Sequence, residues 1–570
     1  MGELTPRLNH HSTFLWMRCA AIVAIAWHCD VGSALAQPSP VDPPPTGVGS
    51  VFTDDGKVIL RGQQFEIMPA ELLRARGMEY PNIPIGQNAA WKLVGALNQM
   101  KDCPAELDEA FAGASGGDWP EGETGVRLKA WLDENAPAIA TARDAVLSSQ
   151  FDMPMFRGDS DMMLAALLPT LGHSRQLARI MAADATYRLA NGDAEAALDR
   201  FLTIQRLGNH IGNGRTLIEG LVGFACGGLA ETGMMRVVAS EHADAQTLKA
   251  ALEAMNELQA TLPRFEPMLR AEQKWSTAIV DDLIDYGGWD AMATNGGNFP
   301  TGQAEPSGWS RLRAAVQRIY LPDRAIKRNM NEFFDAIAES SRSEDDTPGE
   351  TVDEELLFRK LPAWDRLTRM MLPSLARTHF LSLRAHSNFA RTRLSIAVEV
   401  YRKEKGVYPS SLSQLVPRYL AEVPYDPITG YDFDYAPPTK SGERPSGIGQ
   451  VGRDDEALLM KKRRTPVILT PRASKWRRYV ISFANRHEFS DSQRAAAESI
   501  LRDIEARAAA FEHTQGQRLR DIIESGDEDA AKAGVGPLDE LFTELKRRLE
   551  TLPTAGQRAN SKSRSSSEQR

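Results

Sequence analysis

Cysteine is scarce in this chain. Four occur in 570 residues, at positions 19, 29, 103 and 226, and no two form a C-x-x-C pair. That excludes a zinc ribbon and a thioredoxin-type redox pair. An excess of positive charge is lacking as well. Sixty-seven Lys and Arg stand against 76 Asp and Glu, a formal charge of −9, and an acidic chain lacks the phosphate neutralisation on which nucleic-acid affinity rests. Lys461, Lys462, Arg463 and Arg464 lie in a polar connector and read as a solvated loop. A Walker loop, a dinucleotide fingerprint, HExxH and an EF-hand are all missing. No constellation reads as catalytic or cofactor-binding.

Three strings imitate chemistry and have simpler readings. Gly113–Gly117 matches G-x-S-x-G but follows an acidic helix instead of a buried strand, so a loop is expected. His379 and His386 are seven apart on one helix without a third ligand, which predicts surface histidines. Asp281, Asp282 and Asp285 predict a solvated helix face. Asp454, Asp455 and Glu456 are the weak candidates for calcium, which wants several oxygens on a shaped loop.

What is present begins with an export signal. Arg7 and Arg18 precede the apolar stretch Cys19–Trp27, and Ala34-Leu35-Ala36 forms a small-residue exit. The apolar stretch is shorter than the roughly 20 residues a bilayer requires. Cleavage after Ala36 is expected, leaving a soluble exported or periplasmic chain. It removes two acidic and two basic groups, so the charge stays at −9. Cys103 and Cys226 then remain, and whether they pair is open.

The mature chain is long enough for several domains. Residues 37–50 are a Pro-rich linker, 51–340 a helical domain, 341–355 an acidic linker, 356–438 an α+β unit, 439–470 a loop, 471–553 a C-terminal helical region and 554–570 a disordered tail. In the helical domain Leu177, Met181, Ala185 and Leu189 share one face, Asn191-Gly192-Asp193 breaks the helix, and Ala197, Phe201 and Ile204 face inward on the next. This hairpin resembles one tetratricopeptide unit, without a second copy at that period. Between Leu217 and Met235, Gly220, Gly223, Gly227 and Gly228 predict a central, tightly packed helix. Glu219 and Glu231 leave only eleven uncharged residues between them, which argues against a membrane span.

The densest signal runs from Leu383 to Tyr435. A helix carrying Ala390, Leu394, Ala397 and Tyr401 ends at Gly406, and Tyr408-Pro409, Leu412, Leu415-Val416-Pro417, Tyr419-Leu420, Val423-Pro424, Asp426-Pro427 and Gly430 precede the alternating Tyr431–Tyr435. This string resembles the globular part of type II secretion pseudopilins, over about 60 of the 570 residues. The family's prepilin-peptidase site and apolar stem are absent, which argues against assembly into a pseudopilus. Asn88-Ala89-Ala90, Leu167-Leu168-Pro169, Gln176-Leu177-Ala178, Asn191-Gly192-Asp193 and Tyr401–Tyr435 together resemble a group of uncharacterised exported proteins from planctomycete-type bacteria. That likeness implies an architecture and no activity. Further on, Ser490 and Gln493 form a capping box, and the string is similar to the L-T-x-x-Q motif of periplasmic holdase chaperones. The stripe Ala496, Ile500, Ile504, Ala508 and Phe511 follows it.

The expected fold class is mainly α: a helical-hairpin (tetratricopeptide-like) domain, a small α+β pseudopilin-like unit and a C-terminal helical region. The expected function is that of a non-enzymatic exported envelope protein acting through contacts with other envelope proteins. The alternatives are an auxiliary component linked to type II secretion or pilus-like assembly, and an enzyme whose site is not readable from sequence. Mass spectrometry of the protein taken from the envelope is expected to find Gln37 as the first residue; an intact Met1 or Gly2 terminus overturns cleavage.

Overall fold

The computed structural model describes residues 51–285, 323–342, 357–437 and 476–558, apart from short stretches within them. The described residues fall into two compact units, one drawn from 1–342, 351–424 and 435–448, the other from 343–350, 425–434 and 449–570. Among them are 14 α-helices and one two-stranded sheet, so the chain is mainly α. The export signal, Lys461–Arg464 and the calcium candidates Asp454, Asp455 and Glu456 lie outside the described residues.

The first unit opens with a hairpin in which β1 (Val58–Leu60) pairs antiparallel with β2 (Gln63–Phe65), Val58 opposite Phe65. Its two-residue turn sets Arg61 at φ 51° and Gly62 at φ 79°, the double positive φ that matches strand twist. Arg61 lacks glycine's freedom there, and its contacts hold the conformation. Its backbone N–H donates to Asn98 Oδ1 at 2.7 Å, and its guanidinium bonds Met100 O and Asp102. Asn98 belongs to α2 (Ala90–Gln99), which follows α1 (Ala70–Ala75).

Helices α3 (Asp108–Gly116), α4 (Gly122–Glu134) and α5 (Ala136–Val146) come next. The string Gly113–Gly117 is the last turn of α3 and its cap, where a loop was expected. Phe111 and Ala114 anchor that turn in the core, Gly117 ends it at φ 111°, and the buried Ser115 hydroxyl donates to Ala112 O. A serine so engaged is packing, not a nucleophile.

The hairpin of α6 (Pro169–Ala190) and α7 (Ala194–Gly212) forms where the sequence places it. Gly192 supplies φ 82°, and Asp193 caps α7 by accepting from Ala196 N at 3.0 Å. Leu177, Met181, Ala185, Ala197, Phe201 and Ile204 are all buried. Four residues later α8 (Leu217–Ala239) starts with a capping box between Thr216 and Glu219.

The glycines of α8 explain its position. A Cβ on Gly223 would lie 2.5 Å from Gly208 O and 2.5 Å from Gly212 Cα, so α7 and α8 cross backbone to backbone. Gly220 makes room for Met268 and Gly233 for the ring of Phe201. By length and composition α8 could cross a membrane. In this fold it packs against α6, α7, α10 (Phe265–Asp285) and α12 (Leu375–Lys405), with 56% of that stretch buried.

Around this centre, α9 (Ala245–Leu258) is capped by Asp244 and packs on α12, while α10 pairs with α11 (Asp323–Arg342). Asp282 on α10 is 1% exposed, accepts from Met163 N at 2.6 Å and pairs with Arg76. The expected solvated face is therefore corrected at this position: a carboxylate with a backbone donor and a guanidinium is stable inside. Asp281 does face Lys327 near the surface. Beyond Gly406, at φ 76°, Leu412, Leu415, Tyr419 and Leu420 are buried, and the turn Leu412–Leu415 packs back on α12.

The second unit contains α13 (Asp491–Glu524) and α14 (Glu528–Leu549), packed together. Leu538, Leu541, Leu545 and Leu549 are buried as the sequence predicts. On α13 the buried line runs through Ala497, Leu501, Ile504 and Ala508, with Ile500 and Phe511 at its border. Ser490 and Gln493 close their capping box in both directions, and Thr554 and Gln557 form another. The two box glutamines also bond each other through both amides, at 3.0 and 3.1 Å.

Helix crossing at Gly223 leads to a contrast within one helix. Gly223→Ala is expected to destabilise by about 1–3 kcal/mol through overpacking. Gly228→Ala, whose Cβ meets nothing within 4 Å, is expected to stabilise by about 0.5–1 kcal/mol. Thermal unfolding of the two variants measures this; equal shifts would refute the close crossing.

Candidate functional site

The first unit holds a small cavity among α7, α8, α12 and the segment after α9. Gln205 and Asn209 reach it from α7, Gly223, Phe224, Gly227 and Glu231 from α8, Leu262 and Pro263 from the connector, and Ala385 and His386 from α12. Its volume is about 10 Å³, the room that one water occupies.

The polar side chains here are ordered by their neighbours. Asn209 donates to Thr261 Oγ1 at 2.9 Å and to Leu258 O at 3.4 Å. Its Oδ1 is thereby left to accept from Gln205 Nε2 at 3.0 Å. The 205/209 spacing puts both amides on one face of α7. His386 Nδ1 lies 2.8 Å from Ser382 O. A carbonyl only accepts, so Nδ1 carries the proton and Nε2 keeps a lone pair in the neutral ring.

Glu231 is 4% exposed. Burial pushes its carboxyl up to about 8, against the pull of the Arg391 charge. It is chiefly protonated at neutral pH. Burial also pulls His386 below the ordinary imidazole value, with Arg264 adding to the effect and the Ser382 bond opposing it. The site at pH 7 thus holds a neutral acid and a neutral imidazole around a water-sized space.

His379, one face along the same helix, is also not the surface histidine expected. Its ring stacks on Phe265 with centroids 4.5 Å apart, and burial holds it down to about 4. The two histidines serve packing between helices and bring no third ligand with them. Among the described residues no group of three or more His, Cys, Asp or Glu could hold a metal ion. Cys103 and Cys226 are both free thiols, and burial raises Cys226 to about 12.

A second polar cluster closes the start of α8. Glu219 Oε2 accepts from Arg215 N, Thr216 N and Thr216 Oγ1, and Glu272 Oε2 accepts from Leu217 N. Arg215 bonds Met153 O and Asp152. Burial raises the Glu219 and Glu272 carboxyls, and each of their bonds to the chain works against it. The cluster satisfies the orphan donors at a helix start. A third cluster surrounds Arg393, 6% exposed, whose guanidinium donates to Asn256 Oδ1 and Gln259 Oε1. Asn256 Nδ2 in turn donates to Tyr419 O at 3.5 Å, and Tyr419 OH to Glu404 Oε2 at 2.7 Å.

Of the lining residues the sequence singled out only His386, as a zinc imitation with His379, and Glu231 and the glycines of α8 as packing features. The available signal was Glu231 itself, a carboxylate in a Gly-rich apolar helix, since acids are rarely buried without a partner. Gln205 carries no local mark and the spacing of His386 from His379 pointed elsewhere, because the cavity joins residues 205, 231 and 386 only in three dimensions.

The displaced acidities determine how stability responds to pH. The Glu231 value is raised from 4.5 in the free side chain to about 8, so the folded state holds the proton more tightly. Its contribution is complete below pH 4.5 and is lost as pH rises to about 8. For His379, lowered from 6.5 to about 4, the contribution is complete above pH 6.5 and lost as pH falls to about 4. Glu231→Gln is expected to flatten the alkaline fall, by a few kcal/mol at about 1.4 kcal/mol per pH unit, and to melt higher than the parent at pH 9. Urea titrations from pH 4 to 9 measure it; parallel profiles for parent and variant would show Glu231 to be ionised throughout. No family model, curated protein or solved structure matches this chain.

Proposed function

We propose that this chain is an exported, non-enzymatic protein of a bacterial envelope that works through contacts with other envelope proteins. The observation that carries this reading is the stack of α6, α7 and α8. These long helices run antiparallel through connections of three and four residues, 191–193 and 213–216, and pack on one another. Stacked helical hairpins of the tetratricopeptide kind are rigid supports that present side chains to a peptide or helix. The export half of the proposal rests on the N-terminal sequence pattern alone.

The pseudopilin-like unit enters the proposal as a shape and not as a pilus component. In this fold Ala390, Leu394 and Ala397 are buried, and α12 packs on α8 and α9. A helix engaged in this way has its apolar stripe covered already, which weighs against the auxiliary secretion role.

Photo-crosslinking at exposed positions of the hairpin stack, such as Glu195 on α7 and Ile218 on α8, tests the proposal in cells of the source. The expected result is a discrete adduct with the same envelope protein from neighbouring positions, found in the fraction outside the cytoplasm. Retention of the protein in the cytoplasm would overturn the location. Absence of adducts from every exposed position of the stack would overturn the contact role.

A further inference from the structure

The cavity between α7, α8 and α12 is bordered by two buried oxygens with unmet hydrogen-bonding capacity. Gln205 cannot turn its amide, because Asn209 Oδ1 already requires the Nε2 donor and Asn209 Nδ2 is engaged by Thr261 and Leu258. A flip would set two oxygens face to face. Gln205 Oε1 is therefore left buried without a hydrogen-bond partner, and so is Glu231 Oε2. Their residues are 2% and 4% exposed. His386 contributes an acceptor to the lining residues, since its Nδ1 proton goes to Ser382 O. A buried group left unpaired is destabilising, and the space beside them admits one water-sized group.

We propose that this cavity is a binding site for a single water-sized hydrogen-bond donor, a water molecule or an ammonium-sized cation, held between Gln205 Oε1 and the Glu231 carboxyl. The occupant donates to Gln205 Oε1 and completes a chain that runs on through Gln205 Nε2, Asn209 and Thr261 Oγ1 to Leu258 O. With a water, the protonated Glu231 carboxyl donates a hydrogen bond to the water oxygen and keeps its proton. With a cation, that proton leaves to solvent and the carboxylate faces the guest. Arg391 supplies the positive charge that a cation must share the site with. Gly227 keeps the site open: a Cβ there would lie 3.2 Å from Gln205 Nε2 and 3.7 Å from Oε1.

Crystals of the full chain grown in sodium chloride, and again after a rubidium chloride soak, test the site. One isolated density peak within hydrogen-bond reach of Gln205 Oε1 and Glu231 Oε2 is expected. A peak without rubidium anomalous signal, in a protein melting equally in ammonium and choline chloride, identifies water. An anomalous peak, with a melting temperature raised by ammonium chloride over choline chloride and indifferent in Glu231→Gln, identifies the cation. Gly227→Ala is expected to remove the peak while the circular dichroism stays helical. An unoccupied site in the parent protein, with the Glu231 carboxyl bonded directly to Gln205 or Arg391, would overturn the proposal whatever the variant does.

Discussion

Backbone contact between α7 and α8 is the constraint from which the first unit follows. With Gly208 and Gly212 against Gly223, the two helices approach closer than side chains would allow. That distance determines which neighbours meet. Gly220 and Gly233 lie on the same helix and admit Met268 and Phe201, so α10 and the α6–α7 pair are drawn to one axis. The same economy of side chains leaves a small gap where Gln205, Glu231 and His386 converge. The cavity is a by-product of close helices as much as a feature in its own right.

Around that axis the unit uses buried charge as a clamp on irregular chain. Asp282 holds Met163 N, Glu219 and Glu272 hold the start of α8, and Arg393 holds Asn256, which reaches Tyr419 O. In each case a side chain supplies the partner that a loop or helix end lacks. Removing one member would leave the other buried and unsatisfied. The polar interior therefore ties connectors to helices, while the apolar residues hold the helices together.

Much of this was legible in the sequence wherever the information is local. The hairpin break at Asn191-Gly192-Asp193, the end of α12 at Gly406, the Ser490–Gln493 box and the leucine line on α14 are each fixed by neighbours within a turn or two. The glycines of α8 also announced close packing, though not the identity of the partner. What escaped is non-local. Asp282 looks solvent-facing until Arg76 and Met163 arrive from over a hundred residues away. His379 and His386 look like surface groups until Phe265 and α8 cover them. Arg393 carries no local sign of burial, yet its guanidinium is held by the side-chain amides of Asn256 on α9 and Gln259 just past it. The candidate site belongs to this class, since three helices contribute one polar residue or two each and none carries a motif.

The paired glutamines of the second unit have a topological consequence. Gln493 stands at the entry of α13, and Gln557 lies just past the exit of α14. Their amides grip each other and, through Gln493, the carbonyl of Leu552. Two long antiparallel helices thus begin and finish at one point, like a clasped bracelet. A segment whose ends are clasped can be spliced into a host loop, or have its ends relocated, without pulling its helices apart.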